Sequence, residues 1–162
     1  MLPVDSNIAI VGAGVSGLLL ANELIQRGYK VHLIGPKDQK TQLLGTWRST
    51  LTPEPQNDYV LGSWKAWDFR FAGQAFSHFG SHYRYEVIDG KAMRLGLEET
   101  LYSDPNCTRH FEHVVGISQT EFKYTAALEE HEAIDNIDFL VDTRPPERAE
   151  GCCIQQFFGF YL

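Results

Sequence analysis

Three glycines near the N-terminus are the residues whose type and spacing most directly indicate chemistry. Gly12, Gly14 and Gly17 form the pattern Gly-x-Gly-x-x-Gly between an apolar run at residues 8–11 and a helical pattern that begins at Leu18. In such a strand–turn–helix, the first glycine permits a tight turn, the second lets a pyrophosphate approach the backbone, and the third allows close packing of the helix on the strand. Free N–H groups and the positive end of the helix dipole then attract phosphate. The predicted cofactor-binding residues of this loop are Gly12, Gly14, Val15, Ser16 and Gly17.

The segments around these glycines predict a complete strand–helix–strand unit. The helix is expected to run to about Arg27, where Gly28 is a natural stop, and a second strand is expected over Lys30–Ile34. A plain glycine-rich turn that binds nothing is the alternative. The position of the motif between a strand and an apolar helix favours a dinucleotide site.

One residue of the usual dinucleotide unit is missing. An acidic residue that holds the adenosine ribose normally ends the second strand, about 20 residues past the motif, and Gly35 occupies that place here. Asp38 lies three residues later. It either reaches the ribose from a loop or is a solvated turn residue, so we keep Asp38 as a candidate cofactor-binding residue with both interpretations open.

The composition describes an acidic globular chain. Its 162 residues suit one domain, 43% of them are hydrophobic, and the net charge of −7 argues against nucleic acid as the main partner. No apolar run approaches the ~20 residues that span a membrane, and no basic-then-apolar signal segment opens the chain. We therefore expect a cytoplasmic protein, or one that lies peripherally at the inner membrane.

Cysteines and histidines do not indicate a metal site. The chain has three cysteines: Cys107, Cys152 and Cys153. An odd number with two adjacent residues fits neither a disulfide framework nor a Cys-x-x-Cys site, so reduced thiols are expected. Two histidine pairs have helical spacing: His78 with His82, and His110 with His113. Neither pair has carboxylates or further histidines at metal-ligand spacing, so we predict no bound metal.

The middle of the chain predicts an irregular segment followed by an aromatic tract. Residues 36–58 are polar and contain several prolines, which favours an irregular crossover. Residues 47–85 hold half of the aromatic side chains of the protein. Within this tract, residues 68–71 alternate polar and apolar side chains, as a half-buried strand does.

The remaining pattern predicts several further elements. Residues 83–87 and 91–95 flank Asp89-Gly90, a dipeptide typical of a two-residue hairpin turn. The other predicted elements are a short helix at 97–102 ended by Asp104-Pro105, a strand at 114–118, a helix or long strand at 121–131, a short buried strand at 139–141, and an apolar strand-rich end at 152–162.

Together these elements predict an α/β fold. Residues 1–162 form a single Rossmann-like FAD/NAD(P)-binding domain, with an antiparallel, aromatic-rich insertion at about 45–120 between parallel buried strands. An insertion of this kind favours a flavin-binding fold over a simple dehydrogenase domain.

Several motifs, taken in order, resemble the N-terminal part of the bacterial lycopene cyclase family, which is related to the glutathione-reductase superfamily of flavoproteins. The motifs are VGAGVSGLLLANEL, LIGP followed by GTWRS at 45–49, YEV at 85–87, FLVDTRPP at 139–146 and IQQFFGFYL at 154–162. The last two are the more specific, because a strand ending in Asp-x-Arg precedes a Gln- and Phe-rich strand. Asp142 and Arg144 are therefore further candidate cofactor-binding residues.

The resemblance implies bound FAD, with NAD(P)H as a candidate reductant, and lycopene as a hydrophobic substrate. The implied reaction is non-redox: an end-group double bond is protonated, the neighbouring alkene attacks the carbocation, and a proton is lost. A carboxylic acid of raised pKa would serve as acid and base. The aromatic tract then either lines a path for the polyene or belongs to the core.

The acidic catalytic motif of the family resembles Leu-Glu-Glu-Thr, which occurs here at residues 97–100. Glu98 and Glu99 are therefore candidate catalytic residues, although the motif precedes the Asp142 strand instead of following the Gln-Phe strand. An ordinary amphipathic helix turn is the alternative.

Family members are also considerably longer than this chain. This leaves three functions open: a lycopene cyclase-like flavoprotein, a catalytically incomplete dinucleotide-binding module or half of a split enzyme with a second subunit, and another FAD-dependent oxidoreductase or monooxygenase.

Overall fold

The computed structural model describes residue 3 and residues 5–37, 43–49 and 57–145. Asp38, the cysteines at 152 and 153, and the strand expected at 152–162 lie outside the described residues.

The predicted strand–helix–strand unit is confirmed. Strand β1 spans Asn7–Val11, helix α1 spans Val15–Gln26 and strand β2 spans Lys30–Ile34. The two strands are parallel neighbours, with Ile8 opposite Val31. Gly28 has a φ of +84°, a left-handed conformation that ends the helix as expected.

Within the part of the chain that the structure describes, the parallel sheet has four strands. Strand β8 at Cys107–His110 lies beside β2, strand β12 at Phe139–Asp142 lies beside β1, and the order is β12-β1-β2-β8. Helix α2 at Gly90–Tyr102 precedes β8 and packs beside α1. The strand expected at 139–141 is therefore present, but the expectation that it is buried is wrong, because β12 lies at an edge of the sheet. The carboxyl ends of all four strands meet at one side of the sheet.

Two apolar layers cover the two faces of the parallel sheet. On one face, the helices pack through Leu18 of α1 and Leu101 of α2 against β1 and β2. On the other face lies an antiparallel sheet of β9 at Val114–Gln119, β10 at Tyr124–Leu128 and β11 at Ile134–Ile137. This sheet resolves the open choice at 121–131 in favour of a strand. Ala126 and Leu128 repeat with a period of two and bury the same face.

The described residues of the antiparallel section before α2 form five strands. They are β3 at Leu43–Ser49, β4 at Val60–Trp64, β5 at Ala66–Phe71, β6 at Gln74–Phe79 and β7 at Tyr83–Asp89. Strands β3, β7 and β4 form one sheet in that order, and β5 and β6 form a separate hairpin. The expected irregular crossover at 36–58 is therefore wrong over β3, which pairs along its whole length with β7.

The hairpin turn expected at Asp89-Gly90 is also wrong. Asp89 instead caps helix α2: its Oδ1 accepts hydrogen bonds from the N–H groups of Lys91 at 3.0 Å and Ala92 at 2.9 Å. Aspartate is favoured both before a hairpin glycine and at a helix N-cap. Helix α2 then continues through the predicted 97–102 segment and ends before Asp104, as expected.

The aromatic tract differs from a buried core. The large side chains that are exposed in it are Trp47, Trp64, Trp67, Phe69, Phe71, Phe76, Phe79 and Tyr83. Residues 68–71 do form a strand, but every residue of β5 is exposed, and among the described strands β5 pairs with β6 alone. The insertion expected at about 45–120 also includes β8, which belongs to the parallel sheet.

Candidate dinucleotide-binding cleft

A cleft of about 490 Å³ opens at the carboxyl ends of the parallel strands. Its walls come from the glycine loop, the end of β2, the start of α2, the link after β8 and the end of β12. The lining residues include Gly12, Ala13, Gly14, Val15, Ser16, Gly35, Lys91, Arg94, Glu112, His113, Thr143 and Arg144. Ligands of open α/β sheets bind at this edge.

Two of the three glycines are required by the packing of the loop itself. Gly12 has a φ of +107°, and a Cβ atom there would lie 2.5 Å from Oγ1 of Thr143. A Cβ atom on Gly17 would lie 1.9 Å from the carbonyl oxygen of Gly12. The N–H of Gly12 donates to the carbonyl of Ile34 at 2.7 Å, which ties the loop to the end of β2. Gly17 thus packs the helix directly on the turn, as its position in the motif predicts.

The start of α1 suits an anionic group. Gly14 is the N-cap residue, and no side chain makes a capping hydrogen bond there. The first turn, which begins with Val15 and Ser16, contains no acidic residue. The first N–H groups of a helix lack partners within the helix, and the dipole places positive charge there. The loop and helix therefore fit a phosphate or pyrophosphate.

The Asp142–Arg144 segment begins at the last residue of β12, in the same sheet as β1, and it contacts the glycine loop. The N–H of Thr143 donates to the carbonyl of Val11 at 2.8 Å. Its hydroxyl donates to the carbonyls of Val11 at 3.1 Å and Gly12 at 3.0 Å. Thr143 was not among the predicted site residues, although it lies between two of them.

Asp142 and Arg144 form an ion pair at the rim of the cleft. Nη2 of Arg144 lies 2.7 Å from Oδ2 of Asp142, and Nη1 donates to the carbonyl of Val114 at 2.9 Å. The hydrogen bonds from Arg144 lower the pKa of Asp142, and the same pairing raises the pKa of Arg144. Arg144 lines the cleft, whereas Asp142 is not among the lining residues and holds the Arg144 side chain through the ion pair. Their part in cofactor binding stays a prediction.

The structure explains why β2 does not end in an acidic residue. A Cβ atom on Gly35 would lie 2.8 Å from the backbone nitrogen of Ala13 and 3.0 Å from its Cβ. A longer side chain would therefore push the glycine loop away. Arg109 stabilises the end of β2, because its guanidinium donates to the carbonyls of Leu33 at 3.0 Å and Gly35 at 2.7 Å.

An acidic residue that the sequence interpretation missed, Glu112, lines the cleft from the link after β8. Its Oε2 accepts from the N–H groups of Glu130 at 3.0 Å and His131 at 3.2 Å, and Oε1 lies 2.7 Å from Nδ1 of His131. Desolvation opposes ionisation, but these hydrogen bonds outweigh it and lower the pKa of Glu112. The pairing of Gly35 N–H with the carbonyl of His110 brings this link beside the end of β2.

Helix α2 adds two basic residues to the cleft, Lys91 and Arg94. The sequence interpretation missed both because it placed a hairpin over this helix. Arg94 also pairs with Glu98 at 2.7 Å. Glu98 and Glu99 themselves are not among the lining residues, and Glu99 is exposed. Their catalytic role stays a prediction.

The histidine pairs suggested by spacing are replaced by a different pair. Nδ1 of His32 lies 3.0 Å from Nε2 of His110 on adjacent strands. Burial lowers the pKa of both rings, and the neighbouring His32 lowers that of His110 further. Across the described ranges, no three or more His, Cys, Asp or Glu side chains are grouped to hold a metal ion. Burial also raises the pKa of the Cys107 thiol.

Comparison with known proteins now identifies the family. A family model described as "Lycopene cyclase protein" matches residues 7–162. The chain therefore belongs to the lycopene cyclase protein family.

Individual relatives are more distant. The large subunit of fructose dehydrogenase from Gluconobacter japonicus is 33% identical over 58 residues, which cover 35% of this chain and 10% of that protein. The p-nitrophenol 4-monooxygenase PnpA from Pseudomonas putida DLL-E4 has a TM-score of 0.63 at 13% identity, over 85% of this chain and 39% of that chain. Halogenase PltM, solved with phloroglucinol and FAD, has a TM-score of 0.59 at 11% identity, over 86% of this chain and 34% of that chain.

These similarities to solved structures concern the fold alone. The chain spans about a third to two fifths of the length of these two enzymes. Among the described residues, no helix is both long enough and apolar enough to cross a membrane.

Proposed function

We propose that this chain binds the adenosine diphosphate portion of FAD and supplies the cofactor-binding part of a flavoprotein that cyclises lycopene end groups. The observation that carries the cofactor proposal is the glycine loop, in which Gly12 and Gly17 are sterically required beside an uncapped helix N-terminus that opens into the cleft. The fold shared with a halogenase solved with FAD supports the choice of dinucleotide.

The residues of the cleft have distinct roles in this proposal. The N–H groups at the start of α1, from Gly14 onward, would bind the pyrophosphate, and Lys91 and Arg94 would add positive charge from the opposite wall. Thr143 positions the loop through the hydrogen bonds that its hydroxyl donates to the carbonyls of Val11 and Gly12. Glu112 is the acidic side chain best placed to accept from a ribose hydroxyl, in place of the missing residue at the end of β2.

Nucleotide titrations test the cofactor proposal. ADP and FAD both contain the adenosine diphosphate portion, whereas FMN does not. We expect calorimetric titration to detect binding of ADP and FAD, and binding of FMN weaker by about tenfold or more, which corresponds to about 1.4 kcal/mol. Equal affinity for FMN and FAD would refute the proposal that the glycine loop binds the adenosine diphosphate portion. Failure of both ADP and FAD to bind would also refute it.

The proposed reaction rests on the family to which the chain belongs. Membership supports cyclisation over the monooxygenation and halogenation named for the structural neighbours. FAD, when bound in reduced form, would either stabilise a carbocation or supply a proton. The chain would bind and orient the dinucleotide, while a carboxylic acid of raised pKa would transfer the proton. NAD(P)H as the reductant belongs to the same proposal.

We also propose a second, narrower function, a cofactor-binding module that acts with a substrate-binding partner. The observation that favours it is that Glu98 and Glu99, the candidate catalytic carboxylates, are not among the residues that line the cleft. Expression in cells that accumulate lycopene distinguishes the two. If the chain is a cofactor-binding module, we expect bound flavin and no red-to-yellow colour change of the cells. Strong conversion that disappears in Glu98→Gln or Glu99→Gln would instead identify an active cyclase and make these carboxylates catalytic.

A further inference from the structure

The corner of the cleft at the end of β2 distinguishes two kinds of adenine nucleotide. In a strand–helix–strand unit, an acidic residue at this corner accepts a hydrogen bond from the ribose 2′-hydroxyl, whereas a nearby arginine accommodates a 2′-phosphate. Here Gly35 stands in the place of the acid, and Arg109 donates to the Gly35 carbonyl at 2.7 Å. By residue type alone, this corner would therefore suit a 2′-phosphate.

The hydrogen bonds of Arg109 lead to the opposite conclusion. A guanidinium has five N–H groups, and the side chain of Arg109 makes five hydrogen bonds to protein acceptors. The acceptors are the hydroxyl of Tyr102 and the backbone carbonyls of Leu33, Gly35, Pro36 and His110. The ring of Phe111 also stacks on the guanidinium, with Cζ of Arg109 4.5 Å from the ring centroid. Binding of a phosphate by Arg109 would leave part-buried carbonyls without donors.

The other basic side chains near the cleft do not take the place of Arg109 at this corner. Lys91 and Arg94 line the wall that α2 forms, and Arg144 follows β12, two strands away from β2. Lys37 is exposed and is not among the residues that line the cleft. Among the described lining residues, a 2′-phosphate at the end of β2 would therefore find no lysine or arginine.

Glu112 places a carboxylate at the same corner. The hydrogen bond from Gly35 N–H to the carbonyl of His110, at 3.0 Å, brings the link after β8 beside the end of β2. The Glu112 side chain is only 10% exposed. A carboxylate has about four lone-pair sites. The N–H groups of Glu130 and His131 and the ring of His131 occupy three of them, which leaves one for a ribose hydroxyl.

We propose that the cleft selects adenine nucleotides with a free ribose 2′-hydroxyl and excludes those with a 2′-phosphate, and that Glu112 sets this specificity. A hydroxyl can donate to the carboxylate, whereas a phosphate carries negative charge and would be repelled. The lowered pKa of Glu112 keeps the side chain ionised at neutral pH. The inference rests on the proposed nucleotide binding. It names ADP, FAD and NADH as ligands that fit, and it excludes NADPH from this cleft.

Calorimetric titration with two matched nucleotides tests the proposal. ADP and 2′-phosphoadenosine 5′-diphosphate differ only in the 2′-phosphate, and we expect the parent to bind the latter about tenfold or more weakly. Glu112→Gln keeps the shape of the side chain and removes its charge, so the ratio of the two affinities should fall to about threefold or less. Glu132→Gln is the matched control. It removes the same charge at an exposed position between β10 and β11, and it should keep the parental ratio.

A third nucleotide tests the hydrogen bond in the unmodified protein. Because 2′-deoxy-ADP lacks the donor, the parent should bind it about tenfold more weakly than ADP. Equal affinity for ADP and either of the other two nucleotides would overturn the proposal while the cofactor proposal stands. Loss of discrimination in Asp38→Asn, with the parental ratio kept in Glu112→Gln, would also overturn it and assign the ribose to Asp38. Absence of ADP binding by the parent would refute both proposals.

Discussion

The three glycines of the loop have different reasons for lacking a side chain. Gly12 and Gly17 face protein atoms, so a Cβ atom at either position would clash within the loop. Gly14 instead has a φ of −74° and a ψ of 178°, an extended conformation that any residue adopts. The requirement for glycine at this position therefore comes from the ligand in our account.

Gly14→Val provides the corresponding prediction. We expect ADP affinity to fall by about tenfold or more, since the pyrophosphate would lose charge-assisted bonds to the backbone that are each worth about 1.5–3 kcal/mol. The melting temperature should change little. Gly116→Val on β9 is the matched control, because a Cβ atom there meets only Cβ of Ala127 at 3.8 Å. Parental ADP affinity in Gly14→Val would show that phosphate does not approach this residue.

Thr143 offers a second test at the scale of single residues. Thr143→Val removes the hydroxyl that donates to Val11 and Gly12, which should cost about 1 kcal/mol of unfolding free energy and weaken ADP binding. Thr143→Ser keeps the hydroxyl and should restore most of both. Thr108→Val, on an exposed position of β8, controls for the change in strand residue. Equal urea midpoints for Thr143→Val and Thr143→Ser would contradict this role.

Helix α2 shows how one element alters the interpretation of a site. Asp89-Gly90 is compatible with a hairpin turn and with the start of a helix. The burial of Met93 and Leu101, which follow it in the chain, favours the helix. Lys91 and Arg94 reach the cleft because this helix begins at its wall. A local dipeptide signal was therefore insufficient, whereas β1, α1 and β2 were predictable because each has its own local pattern and stop residue.

Asp89→Ala should destabilise the protein by about 1 kcal/mol, because it removes the acceptor for two N–H groups at the start of α2. Asp89→Ser, which keeps a capping oxygen, should lose less. Glu99→Ala lies on the exposed side of the same helix and serves as the control in urea unfolding. If Asp89→Ala proves as stable as Glu99→Ala, the capping interaction does not contribute.

Strand β3 and the cleft wall at Glu112 illustrate what sequence patterns could not provide. Strand β3 pairs with β7, about 40 positions further along the chain, and residues 36–58 contain no strong strand signal of their own. Glu112 likewise reaches the cleft because it follows β8, which pairs with β2. The Asp142–Arg144 segment was predictable, since a short apolar strand that ends in polar residues marks the carboxyl edge of a parallel sheet.

At the scale of the whole molecule, the His32–His110 pair predicts how stability depends on pH. Burial lowers both pKa values below the ordinary 6.5, so the unfolded chain binds protons more readily as the pH falls past that value. Stability should therefore decrease from about pH 7.5 to about pH 5. Arg109, Glu112 and His131 also act on His110, but the lowered pKa of Glu112 affects stability only at more acidic pH.

Thermal unfolding across this range measures the effect. His32→Gln and His110→Gln should each flatten the dependence of melting temperature on pH, while His78→Gln, at an exposed position, should retain the parental slope. A parental slope in both variants of the pair would assign the dependence to other groups.

In the proposed function, the cleft at the carboxyl ends of the parallel strands binds a flavin dinucleotide. The most direct measurement is the absorbance spectrum of the protein purified after expression with ample flavin, followed by chromatographic identification of the released cofactor. We expect a flavin spectrum and release of FAD, with little FMN, from the parent and from Gly116→Val, and loss of this signal in Gly14→Val. A colourless, folded parent that also fails to take up added FAD would contradict it.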